Sequence, residues 1–240
     1  MDNIAELRTQ AEPKSRTQAD IVFCLDATAS MTPYIEGMKA GLKQFVEGLQ
    51  SEATVDFRLG LIAYRDLHDP SCNVAWDEFD FTSDIEEFEL WLSKIEAKCG
   101  QLHRGAESTL DAIYRAIHSK WRECKTHRTI IVITDDDTHP TLHSSTFSGY
   151  ESRAHVCRVI QDFNEMTEDR SSVILFMIAP QYPLYEAIEK GVTQAGRDCL
   201  WATVEDDELN NVYFIKLMKM LGETISSSSI ACQSEDSAKK

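Results

Sequence analysis

Two apolar segments of the sequence each end in an aspartate, and these two side chains are the first that could do chemistry. Asp26 ends one segment, and Asp135 follows another. Thr28 and Ser30 alternate with Asp26, so an extended turn would direct all three side chains to the same side. Two carboxylates, two hydroxyls and water form an all-oxygen ligand set, which suits Mg²⁺, with Mn²⁺ as an alternative. The spacing therefore predicts a divalent-metal site made of Asp26, Thr28, Ser30 and Asp135.

Each of these residues also has a purely structural interpretation. Asp26 could be a turn residue, and Ser30 an ordinary helix cap. For both, and for Thr28 and Asp135, the metal-binding interpretation is favoured, because two apolar segments that end in acid coincide with the alternating hydroxyls. For Asp66, which follows another apolar segment, the structural interpretation is favoured.

A polar loop follows the second aspartate of the predicted site. Asp136 and Asp137 are best interpreted as a solvated acidic turn. His139 and His143 could in principle hold zinc together with an aspartate. Pro140 argues against a continuous helix here, so solvated histidines are the favoured interpretation. Because this loop lies beside the site, the two aspartates and two histidines are predicted to form the rim that a partner contacts.

The elements that position these residues alternate between strands and helices. Segments that are apolar on both faces, such as Ile21–Leu25, Ile130–Ile133 and Val173–Ile178, predict strands buried in a parallel sheet. Asn73–Phe81 has a polar face, which predicts an edge strand. The prediction is an α/β fold, with a doubly wound, mostly parallel central sheet of about six strands, one antiparallel edge strand, and about six flanking helices. Ligands of such sheets bind beyond the carboxyl ends of the strands, where the chain order reverses.

Composition and charge restrict the classes of function. The 240 residues include 42% hydrophobic and 27% charged side chains, an ordinary globular composition that excludes a disordered or collagen-like chain. The formal net charge of −16 disfavours nucleic-acid and membrane partners. The sequence shows neither an apolar run long enough to span a membrane nor a secretory signal, so a cytoplasmic location is predicted.

The seven cysteines and the chain ends complete this description. The cysteines are widely spaced without a Cys-x-x-Cys pair, which predicts reduced thiols. Residues 1–18 are polar and predict a flexible N-terminal arm, whereas the low-complexity residues 226–240 predict a disordered C-terminal tail. Residues 19–225 contain neither a linker nor a repeat and are predicted to form a single domain. The cysteines are Cys24, Cys72, Cys99, Cys124, Cys157, Cys199 and Cys232.

The predicted site resembles the metal-ion-dependent adhesion site (MIDAS) of von Willebrand factor A (vWA) domains. The pattern Asp26-x-Thr28-x-Ser30 after an apolar strand resembles the first part of that motif, and Thr134-Asp135 is similar to the family's later Asp-bearing strand end. The resemblance covers residues 20–224. It implies a vWA/Rossmann-like fold with the metal at the top of the sheet. It also implies a protein partner whose acidic side chain completes the metal shell.

The resemblance is closer to intracellular, bacterial-type vWA proteins than to integrins, judged by the central Thr of the motif and the strand end at residues 63–66. The family adds a ligand from a third loop, often Thr or Asp, and the corresponding position falls near Arg104, which is not a metal ligand. Glu107 or Ser108 could take its place, or the site could be weakened. Alternatively, the Arg104 guanidinium could pair with the two aspartates instead of a cation.

Three functional hypotheses follow. The favoured one is a non-enzymatic vWA adaptor that binds a protein partner through its metal, because no activated nucleophile or general base is evident. The alternative is a structural subunit with a degenerate metal site. A Mg²⁺-dependent phosphohydrolase with Asp26 as nucleophile is less favoured. Such enzymes use a second Asp two residues later as general acid, and Thr28 stands there. No phosphate-binding glycine motif is present either.

Overall fold

The computed structural model describes residues 17–51, 55–70, 72, 74–99, 106–123, 126–147, 155–166, 172–203 and 211–237. Almost all of the predicted N-terminal arm lies outside these residues, as do Arg104 and the end of the polar loop near Tyr150. The predicted third-loop role of Arg104 is therefore not tested by the structure.

Within the described residues, six strands form one sheet in the order β3-β2-β1-β4-β5-β6. Only the pair β2–β3 is antiparallel, and the other four pairs of neighbours are parallel. This confirms the predicted α/β architecture with one antiparallel edge strand. The strands are β1 (Gln18–Asp26), β2 (Asp56–Tyr64), β3 (Trp76–Thr82), β4 (His127–Ile133), β5 (Ser172–Ala179) and β6 (Asp198–Thr203).

In the part of the chain that the structure describes, six α-helices cover the two faces of the sheet, in agreement with the prediction of about six. They are α1 (Thr32–Leu49), α2 (Ile85–Lys94), α3 (Thr109–Ile117), α4 (Val156–Glu165), α5 (Pro183–Gln194) and α6 (Asn211–Ser237). Side chains of α1, α2 and α6 pack with one face of the sheet, and those of α3, α4 and α5 pack with the other. The central strands are buried on both faces, which explains why their sequences are apolar without alternation.

Helix α6 departs from the predicted disordered tail, because it continues through Ser237. Ser226 and Ser229 lie within it and are fully buried. Two glycines allow α6 to approach α1 closely. A Cβ atom on Gly222 would lie 2.2 Å from the Phe45 carbonyl oxygen, and one on Gly48 would lie 2.4 Å from the Lys219 carbonyl oxygen. The serine-rich composition did not predict this helix, because its stability comes from packing on the domain rather than from the helix propensity of its residues.

The amino ends of the central strands carry a partly buried ion-pair network around Asp20. Asp20 is fully buried and accepts hydrogen bonds from Arg58 Nε at 3.0 Å and Arg122 Nε at 2.8 Å. Arg122 also pairs with Asp56 at 2.8 Å. This network ties β1, β2 and the segment before β4 together at the end of the sheet opposite the predicted metal site.

The chain order reverses between β1 and β4, which are adjacent and parallel. After β1 the chain adds β2 and β3 on one side, and it then returns to add β4, β5 and β6 on the other. The carboxyl ends of β1 and β4 therefore form the switch point at which ligands of this fold class bind. Asp26 is the last residue of β1, and Asp135 lies two residues after the end of β4.

Candidate metal centre

The loop after β1 places the first three predicted ligands. Asp26 and Thr28 are buried, whereas Ser30 is exposed in a 3-10 turn (Ala29–Met31) that leads into α1. Asp26 Oδ1 accepts hydrogen bonds from the Thr28 amide at 2.9 Å and from the Thr28 hydroxyl at 2.8 Å. The Thr28 and Ser30 hydroxyl oxygens are 3.3 Å apart. The alternating spacing thus places all three side chains together, with Ser30 at the solvent side.

The loop after β4 adds the second predicted carboxylate. Asp135 is half-buried and hydrogen-bonded to Ser30. Its neighbour Thr134 is fully buried and donates its hydroxyl hydrogen to Asp26 Oδ2 at 2.9 Å. The position of Asp135 agrees with the sequence prediction. Sequence reasoning did not assign a role to Thr134, although it belongs to the strand-end pattern that carried the resemblance.

The third loop brings Glu107 rather than Ser108 to the site. Glu107 is only 5% exposed, and its carboxyl group is hydrogen-bonded with Asp26 and Thr28. An isolated parallel β-bridge with Thr138 fixes its backbone, with Glu107 N–H donating to Asp137 O at 2.8 Å. The Ser108 hydroxyl instead accepts the Leu67 amide at 2.9 Å and so holds the loop after β2. Of the third-loop candidates within the described residues, Glu107 is thus the one that contacts the first carboxylate.

The carboxyl groups of Asp26, Glu107 and Asp135 all have raised pKa values. Burial, followed by the negative charge of Asp26, raises the pKa of Glu107 to about 11. Burial and the same charge raise the pKa of Asp135 to about 6. Burial also raises the pKa of Asp26 itself. Both desolvation and like charge disfavour ionisation here, so the cluster carries a proton in the absence of a cation.

The donor set fits a hard divalent cation. Glu107 Oε2 and Asp135 Oδ1 are buried without a hydrogen-bond donor, which leaves two carboxylate oxygens free for a positive charge. In the described part of the chain, no basic side chain forms an ion pair with the three carboxyl groups. Carboxylate and hydroxyl oxygens are the ligands that Mg²⁺ and Mn²⁺ accept.

The hydroxyl ligands are essential to this interpretation. Within the same described ranges, no three His, Cys, Asp or Glu side chains are arranged so that they could hold a metal ion. A site at the end of β1 therefore requires the oxygens of Thr28, Ser30 and water. The same observation gives no support to a zinc site at His139 and His143.

The predicted rim lies beside this centre. The Asp136 and Asp137 carboxylates accept backbone amides of their own turn, at 2.7 Å from Asp137 N and 2.8 Å from Thr138 N. His139 and His143 are half-buried, with His139 Nε2 3.0 Å from Asp66 Oδ1. Burial alone would raise the pKa of Asp66. The contact with His139 opposes burial and helps to lower the pKa of that carboxyl below its ordinary value.

Asp66 contacts its own loop and the predicted rim. It is 1% exposed and accepts the His68 amide at 2.9 Å. The ring of His68 contacts those of His139 and His143, with centroid distances of 4.0 and 4.9 Å. Sequence reasoning missed this group of three imidazoles, because His68 lies in a different loop from the other two.

Two cysteines form a disulfide next to the loop after β1 (residues 27–31, called the metal loop below), so the prediction of reduced thiols is wrong for Cys72 and Cys99. Their Cα atoms are 5.6 Å apart, although 27 positions separate them in sequence. Cys99 O accepts the Ala29 amide at 3.2 Å, and the Lys98 amide donates to Ala27 O at 3.0 Å. Wide spacing concealed the pair, since only the fold brings the loop after β2 against the segment after α2. Cys24, Cys157 and Cys199 are free thiols.

Comparison with known proteins supports the vWA domain family. Residues 21–138, just under half of the chain, match the family model described as the von Willebrand factor type A domain. The chain is also similar to the alpha-protein kinase vwkA of Dictyostelium discoideum, with 31% identity over 132 residues. That alignment covers 55% of this chain but only 20% of the kinase, so the chain spans about a fifth of the relative that it matches.

Solved structures share the fold at low sequence identity, and these identities show the fold alone. The pilus adhesin SpaC from Lactobacillus rhamnosus GG has a TM-score of 0.59 at 13% identity, covering 89% of this chain and 31% of SpaC. The minor pilin PilB from Streptococcus sanguinis has a TM-score of 0.59 at 9% identity, covering 90% and 63%. The SpRpn10 VWA domain has a TM-score of 0.52 at 11% identity, covering 83% and 94%. None of the described helices is both long and apolar enough to cross a membrane.

Proposed function

We propose that this chain is a vWA domain that binds a protein partner through a divalent cation at the carboxyl ends of β1 and β4. Asp26, Thr28, Ser30, Glu107 and Asp135 would hold the cation, some of them through bound water, because no three acidic side chains among the described residues are arranged to ligate it directly. The observation that carries the proposal is the pair of buried carboxylate oxygens, Glu107 Oε2 and Asp135 Oδ1, that lack a donor. A buried carboxylate without a partner is costly, and a cation would remove that cost.

The composition of the site favours Mg²⁺ or Mn²⁺. Mg²⁺ retains several waters and needs few protein carboxylates, and the exposed Ser30 leaves one side of the cluster open to water and to a partner. When bound, the cation supplies a positive centre that can accept a carboxylate from another protein. The family's third-loop ligand is often Thr or Asp, and here Glu107 brings a glutamate carboxyl group to the site.

The charge of the chain supports an acidic partner group only if a cation is present. A net charge of −16 repels an acidic surface over most of the protein. A bound cation would reverse the sign of the potential locally, so binding would depend on the metal. The names of two structural neighbours, a pilus adhesin and a minor pilin, are consistent with an interaction role for this fold. A cytoplasmic, adaptor-type protein remains the prediction.

An enzymatic role has less support. A phosphohydrolase would need an acid at the position of Thr28, whose hydroxyl hydrogen instead is donated to Asp26 at 2.8 Å. The similarity to a kinase covers only 20% of that protein and carries no catalytic assignment to this chain. The proposed role is therefore non-enzymatic binding. A structural subunit with a degenerate site is the outcome that a negative metal titration would favour.

Calorimetric titration of Mg²⁺ and Mn²⁺ into chelator-treated protein tests the proposal. We expect saturable binding by the wild type and by Glu89→Gln, which alters an exposed carboxylate on α2. Binding should be lost in Asp26→Ala, with circular dichroism used to confirm that the variant is folded. Absence of binding by folded wild-type protein, or unchanged binding by Asp26→Ala, would contradict the proposed site. A protein partner should then be retained by the wild-type protein in the presence of Mg²⁺ and released when chelator is added. The Asp26→Ala variant should not retain it.

A further inference from the structure

The disulfide between Cys72 and Cys99 joins the two segments that support the candidate metal centre from either side. On one side, the loop that contains Cys72 also contains Leu67, whose amide binds Ser108, the neighbour of Glu107. On the other side, Lys98 and Cys99 bind the backbone of the metal loop at Ala27 and Ala29. The bridge therefore connects the supports of the third loop with those of the first.

Cys99 has an unusual backbone conformation. Its φ angle is +68°, and within the described residues it is the one non-glycine residue with a positive φ. L-residues disfavour this region, so the surrounding contacts must maintain it. Two contacts do so here, namely the bond to Cys72 and the hydrogen bond from Ala29 to the Cys99 carbonyl oxygen at 3.2 Å. When the bridge opens, Cys99 can relax toward the extended region, and its carbonyl would then turn away from Ala29.

A second contact between the same segments limits the extent of this change. The fully buried Arg65 donates to Val74 O at 3.2 Å and to Glu96 O at 2.7 Å. Arg65 would therefore keep the loop after β2 attached to the segment after α2 when the bridge is open. The loss of order should be confined to residues near Cys99 and to the metal loop that it contacts.

We propose that Cys72–Cys99 is a thiol–disulfide modification site that regulates the candidate metal centre, with the oxidised form binding the cation more tightly. This rests on the proposed function for its binding readout. Both cysteines are half-buried, so a thiol reagent can reach them. The thiolate of a dithiol reductant attacks one sulfur, and the S–S bond breaks to give a mixed disulfide. The reductant's second thiol then displaces the protein, which leaves Cys72 and Cys99 as thiols and the reductant as a disulfide.

The first measurement is independent of any metal. Amide hydrogen exchange is compared for oxidised wild type, wild type reduced with a phosphine that is then removed, and the double variant C72S/C99S, all in chelator. We expect the Ala29 amide to exchange at least about 5-fold faster in the last two samples, the lower end of ordinary coupling between sites. Cys157→Ser, which removes an exposed free thiol, should leave exchange at Ala29 unchanged. Equal exchange in oxidised and reduced wild type would overturn the proposal.

The second measurement is Mg²⁺ titration of the same samples. We expect affinity to fall at least about 5-fold on reduction, and C72S/C99S to match reduced wild type. Affinity that is unchanged by reduction would overturn the regulatory role. If no sample binds a cation, the proposed function has failed, and the exchange at Ala29 alone decides whether the bridge orders the loop. A non-reducing peptide map of oxidised protein should contain Cys72 linked to Cys99, and its absence would also overturn the proposal.

Discussion

Replacing Glu107 with glutamine tests whether the metal-free centre holds a neutral carboxyl group. Burial beside Asp26 raises the pKa of Glu107 to about 11, so the native protein carries this proton at pH 7. In the unfolded chain the pKa of Glu107 has its ordinary value of 4.5, so the proton is absent at pH 7. Since the native pKa is raised, this group's contribution to stability is present below pH 4.5 and is lost as pH rises toward 11. At pH 7 the loss is about 2.5 pH units at about 1.36 kcal/mol each, or about 3 kcal/mol.

The glutamine amide in the Glu107→Gln variant has no such cost, and it can still donate a hydrogen bond to Asp26. We therefore expect Glu107→Gln to exceed wild type in unfolding free energy by about 3 kcal/mol at pH 7, and by less than about 1 kcal/mol at pH 5. Urea unfolding in chelator at both pH values measures the difference. Glu89→Gln, at an exposed carboxylate, is the matched control and should show no comparable change with pH. A difference between Glu107→Gln and wild type that is the same at pH 7 and pH 5 would refute the assignment.

Adding Mg²⁺ should stabilise wild type more than the Glu107→Gln variant. A ligand at about 100 times its dissociation constant stabilises the native state by about 2.7 kcal/mol. Wild type should gain stability in this way, because the cation replaces the proton on the carboxyl cluster. Glu107→Gln should gain less, because it lacks one carboxylate. Equal gains would remove Glu107 from the proposed ligand set.

Three further predictions concern the scaffold, and urea unfolding measures each. The pKa of buried His127 is lowered to about 4 by burial, so the unfolded state takes up its proton first as pH falls. The unfolding free energy of wild type should therefore fall by about 2 kcal/mol between pH 7 and pH 5 because of this group. The His127→Gln variant should not show this fall. Gly222→Ala should cost about 1–3 kcal/mol, because its Cβ would meet Phe45 O at 2.2 Å, while Ser227→Ala on the same helix should have little effect. Asp20→Ala should cost about 3–5 kcal/mol, because it leaves two arginines without their buried partner; an effect below about 1 kcal/mol would contradict this.

The agreement between the predicted and observed fold has a simple physical origin. Strands buried on both faces of a parallel sheet must be apolar along their whole length, so their sequences identify them without knowledge of the tertiary structure. The acidic residues that end these strands are then brought to one edge by the topology. This is why Asp26 and Asp135 could be placed together from the sequence. The prediction failed at the C-terminal tail, where burial against the domain, rather than composition, maintains the helix through Ser226 and Ser229.

The sequence by itself determined the class of sheet, its edge strand and the four oxygen-bearing residues at the switch point, because these depend on continuous apolar runs, on local alternation and on the ends of strands. Only the tertiary structure decided which third-loop residue joins them, because Glu107 is placed by a β-bridge to a loop thirty-one positions away at Thr138. The same holds for the disulfide near the metal loop and for the raised pKa of Glu107. Contacts between distant segments, and the burial of charge that they cause, are set by packing and leave no periodic signal in the chain.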